Sequence, residues 1–125
     1  MKIFVEADLS GIKLPDGFER WLSEKESCDG CGTKWFAKIV PDSIYLLDIS
    51  KVCCIHDYRF SIGGTIEDFE FANEEFRDNL KSVINKVDRW WYPTELALKR
   101  ADTYYKAVST GYALEIFLEN NKDKE

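Results

Sequence analysis

From Thr65 to Val87 an apolar side chain returns every three or four residues: Phe69, Ala72, Phe76, Leu80, Val83, Ile84 and Val87. No other feature limits the fold as strongly. A stripe of that period belongs to one face of a helix of about six turns, and the face must be buried against other elements. Thr65 followed three positions later by Asp68 reads as an approximate capping box that starts the helix. One polar residue, Asn73, lies inside the stripe and is therefore carried inward.

Upstream, Ile49, Val52, Cys53, His56 and Phe60 are also three or four apart, which predicts a helix from about residue 49. Gly63-Gly64 stops it. So short a connection makes the two helices antiparallel neighbours, and it allows His56 and Asn73 to meet between them. Beyond the stripe, Trp90-Trp91-Tyr92 interrupts, and Pro93 suits the first turn of a third helix. Ala97, Ala101, Tyr104, Tyr105, Val108 and Tyr112 line one side of that helix. Near the start, KIFVE (2–6) alternates as a short strand, Pro15 to Gly17 mark a turn, and a brief helix spans about Phe18 to Lys25. SCDGCGTKW is dense in small and polar residues and reads as a structured loop, while the stretch that follows it is broken at Pro41.

The expected fold is thus mainly α: a three-helix core, an N-terminal loop and a short strand pair, in a single domain over residues 1–118 with a flexible tail over 119–125. The chain has 125 residues, nearly half of them hydrophobic, which suffices for one real core and excludes the disordered class. With 17 Lys plus Arg against 23 Asp plus Glu, the net charge of −6 argues against a sequence-independent grip on nucleic acid. It also argues against strong electrostatic attraction to anionic lipid surfaces, and at most peripheral membrane contact is expected. Glu6 and Asp8 interrupt the N-terminus where a signal peptide would be apolar, and no segment has the apolar length of a span, so a cytoplasmic location is expected. In that compartment metal ligation or free thiols gain ground over disulfides.

The chemistry concentrates in VCCIHDYRF (52–60), which holds the only histidine. His56 alone has an ordinary proton affinity near neutrality and is the natural general base. Asp57 points about 100° away on the same helix, so it flanks the cleft and offers oxygens to a hard cation. Asp29, with Gly30 and Gly32 letting carbonyls turn inward, completes the type of donor set calcium uses. A histidine beside such a site suggests metal-assisted ester hydrolysis. The same stretch supports a competing reading. Cys28-x-x-Cys31 and Cys53-x-x-His56 have the spacing of a structural tetrahedral zinc site, which would consume His56.

Blander roles stand beside these. Asp29 can simply cap its own turn, and Cys54 reads best as a small buried hydrophobe. Trp90-Trp91-Tyr92 reads as core packing at a helix junction, with insertion into a lipid interface as the alternative. The acidic run from Glu67 to Glu75 is a solvated helix face.

Cys53-Cys54-Ile55-His56-Asp57, preceded by Asp29-Gly30-Cys31-Gly32, resembles the phospholipase A2 superfamily, and most closely its short bacterial, fungal and phage-encoded members. The likeness covers residues 27 to 81 and extends more weakly to RADTYYKAVSTG. It implies that His56 is the base, that Asp57 and the Asp29 to Gly32 loop hold calcium, and that Cys31 pairs with Cys53. It further implies a phospholipid or other ester as substrate, cut at the middle-carbon ester of a glycerophospholipid, with a virion association if phage-encoded. Three positions depart from the family's pattern. Cys54 stands two residues before the histidine, Phe60 occupies a position usually held by tyrosine, and Asn73 stands where an aspartate normally orients the imidazole. An amide oxygen can hold the ring but brings no charge to an imidazolium. In a serine-protease triad the matching swap costs about four orders of magnitude in turnover. Asn73 and Phe60 motivate a further alternative, a catalytically degenerate phage structural or regulatory protein, beside the zinc-stabilised interaction module.

Overall fold

A computed structural model describes residues 5–24 and 43–122, with side chains described to Glu119. Five helices and one two-stranded sheet occupy these residues. They are α1 (Phe18–Glu24), β1 (Ser43–Ile44), β2 (Leu47–Asp48), α2 (Ser50–Ile62), α3 (Ile66–Asn85), α4 (Thr94–Val108) and α5 (Gly111–Lys122).

The α3 stripe is buried as its spacing requires. Phe69, Ala72, Asn73, Phe76, Leu80, Val83 and Ile84 all face the interior. Thr65 accepts from the Asp68 backbone N–H while the Asp68 carboxylate takes the Thr65 N–H, so the capping box is reciprocal. Gly63 and Gly64 make the preceding corner with φ of 71° and 143°, values that a Cβ would strain. The chain reverses there. His56 meets Asn73, and one turn on Phe60 meets Phe69, which makes α2 and α3 antiparallel. Lys81 pairs with Asp102, and Arg77 lies over Tyr105, so α4 runs back along α3 in turn.

The third helix was expected to run on through Tyr112, but it stops at Val108. Ser109 Oγ donates to the Tyr105 carbonyl, and Thr110 Oγ1 accepts from the Ala113 N–H, closing one helix and capping the next. The redirected α5 buries Ala113 and Phe117 and leaves Tyr112 62% exposed. It carries the helical backbone through Lys122, past residue 119, where the tail was expected to begin.

Helix α2 is covered on both sides. Val52, Cys53 and Phe60 join the main core with α3, α4 and α5, while Cys54 and Ile55 join Phe18 of α1 in a second cluster. The strand pair forms at Ser43–Asp48, and Val5 adds a single parallel bridge to Leu47. Its two turn residues, Tyr45 and Leu46, have φ of 47° and 72°. Hairpin turns with two positive φ values favour Asn-Gly, so a bulky pair here stores strain. The surroundings hold it in place: Tyr92 Oη donates to the Ile44 carbonyl, and Arg100 lies over the Tyr45 ring. The aromatic knot therefore divides. Tyr92 packs as expected, whereas Trp90 is 96% exposed and Trp91 also faces outward. Among the described residues no helix is long and apolar enough to cross a membrane.

Candidate functional site

His56 projects from the middle of α2 into the seam with α3 and is only 2% exposed. Its ring lies between Phe60 and Phe76, with centroids 4.5 and 4.7 Å away. One face of this slot comes from α2 itself, four residues on, and the other from the α3 stripe. Nε2 lies 2.7 Å from Asn73 Oδ1, the meeting that the helical spacing of the two residues anticipates.

The other end of the Asn73 amide decides which atom carries the proton. Asn73 Nδ2 donates to the Val108 carbonyl at 3.1 Å. A carbonyl only accepts, so the amide nitrogen must face Val108 and the amide oxygen must face the ring. An amide oxygen also only accepts. The hydrogen therefore sits on Nε2, and Nδ1 is the basic nitrogen of the neutral imidazole. Burial disfavours the charged ring and lowers its pKa from 6.5 to about 4, with the Asn73 contact opposing the shift. His56 is neutral at physiological pH. It is in a state to accept a proton.

Asp57, the next residue, is half-buried beside the same helix turn. Cys53 and Cys54, on the preceding turn, are both disulfide-bonded. Cys54 is thus buried, as its hydrophobic reading requires, but also oxidised. Of the expected zinc ligands, then, Cys53 has its sulfur in a disulfide and His56 has Nε2 engaged by Asn73. Cys28 and Cys31 lie outside the described residues, as do the expected calcium ligands Asp29, Gly30 and Gly32. Among the described residues no three His, Cys, Asp or Glu side chains gather as a metal-holding group.

Nearby, Arg59 forms a two-pronged ion pair with Glu75, Nε to Oε1 at 3.1 Å and Nη2 to Oε2 at 3.0 Å. This pair locks α2 to α3 one turn from the imidazole. Sequence reading missed two contributors to the site. Phe76 reads as a stripe residue alone, though its position three residues after Asn73 puts it on the same face. The Val108 carbonyl carries no side-chain signal at all, and only the end of α4 reveals it. No protein-family model matches the chain, and no significant match is found among curated proteins or solved structures.

Proposed function

We propose that this protein is a phospholipase A2-like, calcium-dependent hydrolase of carboxylic esters, with the middle-carbon ester of a glycerophospholipid as the substrate class. The observation that carries the reading is the Nε2 contact of His56 with Asn73, which assigns the role of base to Nδ1, on the residue that precedes Asp57 in α2. His56 Nδ1 takes a proton from water, and the oxygen of that water adds to the ester carbonyl. As the tetrahedral intermediate collapses, the proton passes from His56 to the departing glycerol oxygen, giving a fatty acid and a lysolipid. Asp57 would hold the cation with the Asp29 to Gly32 loop, and its oxygen donors suit a hard ion. When bound, calcium supplies polarisation of the ester carbonyl.

Oxidised Cys53 and Cys54 support a non-reducing setting, outside the cell or on a virion, over the cytoplasm. They also weaken the zinc-stabilised module, since a disulfide sulfur is not a thiolate ligand. The test is release of fatty acid from phospholipid vesicles with and without calcium. Release that requires calcium and is abolished in His56→Ala and in Asp57→Ala sustains the proposal. No release at millimolar calcium, together with no calcium binding, overturns it. One observation favours a second reading, a scaffold that has lost its chemistry: the close packing of His56 between Phe60 and Phe76. That reading takes over if calcium binds and vesicles stay intact.

A further inference from the structure

The asparagine at position 73 looks like a weakened aspartate when only the imidazole is considered, but its other end changes the comparison. Val108 is the last residue of α4, so its carbonyl has no partner within the helix. The end of α4 closes through bonds from outside it: Ser109 Oγ to the Tyr105 carbonyl, Ser109 N–H to the Lys106 carbonyl, and Asn73 Nδ2 to the Val108 carbonyl. Asn73 is thus a cap for α4 supplied by another helix. Helix carbonyl ends carry the negative pole of the macrodipole, equivalent to roughly half a charge.

We propose that Asn73 is a positioning residue that couples the negative end of α4 to His56, and that its amide is required in that role where a carboxylate would fail. The chain of donors runs one way. The Val108 carbonyl polarises the Nδ2–H, and the amide passes that polarisation to Oδ1, which accepts from Nε2–H more strongly than an isolated amide would. The helix end thereby supplies part of the negative potential that an aspartate would have brought. A carboxylate at this position would set an oxygen against the Val108 carbonyl oxygen, acceptor facing acceptor, with the negative helix pole repelling it. The family-like residue would be the wrong one here. The catalytic meaning of this link rests on the hydrolase reading, whereas the state of the ring does not.

Nitrogen NMR of the parent chain with labelled histidine tests the link without turnover. The expected result at neutral pH is a single neutral ring protonated at Nε2. A ring protonated at Nδ1 overturns the proposal. The variant Asn73→Asp provides the second readout, with Asn73→Ala as the reference for simple loss of contacts. The expected unfolding midpoint of Asn73→Asp is well below that of the parent and no higher than that of Asn73→Ala. A midpoint equal to the parent's, with the ring still protonated at Nε2, shows that a carboxylate serves as well and refutes the requirement for an amide. Neither measurement needs an active enzyme, so failure of the hydrolase reading and failure of this link are separate results.

Discussion

Acidification destabilises this fold through His56 by an amount that follows from the burial of the ring. The unfolded chain protonates this imidazole with a pKa of 6.5, and the folded protein resists protonation until about 4. Between those values the unfolded state holds more protons, so lowering the pH draws the equilibrium toward it. The contribution of His56 is fully present above the unfolded value and is lost as pH falls toward the folded one. With about 1.4 kcal/mol per pKa unit, the loss amounts to about 2 kcal/mol at pH 5 and about 3 kcal/mol at pH 4. Against a typical total of about 5–15 kcal/mol, that is a large fraction.

Carboxylates also titrate over part of this range, so the measurement must isolate the imidazole. Urea unfolding of the parent and of His56→Gln, in chelator and with disulfides intact, does so when repeated from pH 7.5 to pH 4. His56→Gln is the less stable protein at neutral pH, because the shaped slot between Phe60 and Phe76 loses its ring. Its deficit shrinks on acidification, since only the parent has the buried imidazole to protonate, and the two curves approach by about 3 kcal/mol. Parallel curves would refute the reasoning. They would mean that the ring is protonated as easily in the folded protein as in the unfolded chain.

Three further outcomes are expected. Phe60→Tyr, which restores the residue typical of the resemblance, adds a hydroxyl to a ring packed against His56, Phe69 and Phe117, and calorimetry should show a loss of about 1–3 kcal/mol from overpacking. Thr65→Ala removes the acceptor of the α3 capping box at an exposed site and should cost about 1 kcal/mol in urea unfolding without altering the His56 ring signals. Leu46→Gly relieves a positive φ at a partly exposed turn position, and a gain of about 1 kcal/mol is expected; a loss would show that Leu46 contributes more by packing than it costs in strain.

How much of this was legible in the sequence depends on where each determinant resides. The α2–α3 hairpin and the encounter of His56 with Asn73 were readable, because spacing along a helix fixes which side chains share a face and a two-glycine corner fixes the return. The strand pair at Ser43–Asp48 was not placed, because Tyr45 and Leu46 offer none of the small residues that advertise a tight hairpin. Its turn is held by Tyr92 and Arg100, far away in sequence. The break between α4 and α5 had a local signal in Ser109-Thr110-Gly111, but the apolar spacing from Ala101 through Val108 to Tyr112 continued across it and masked it. Trp90 has the sequence context of a core residue because aromatic residues in a cluster usually pack together. Here the loop buries Tyr92 and leaves Trp90 exposed.

That break between α4 and α5 also bears on the site. Had α4 continued to Tyr112, the Val108 carbonyl would have accepted from the N–H of residue 112 inside the helix. It would then have been a poorer partner for Asn73. By ending the helix at Ser109, the chain exposes a carbonyl at the depth of the imidazole, and it then uses α5 to place Phe117 against Phe60 and Phe69 behind the same ring. One interruption thus provides both the acceptor that orients the amide and the apolar backing that keeps water from competing for it. Replacing Ser109, Thr110 and Gly111 together by alanine, so that α4 runs on in phase to Tyr112, should therefore disturb the His56 tautomer although it alters no residue in contact with the ring, and ring-nitrogen shifts unchanged by that replacement would refute this coupling.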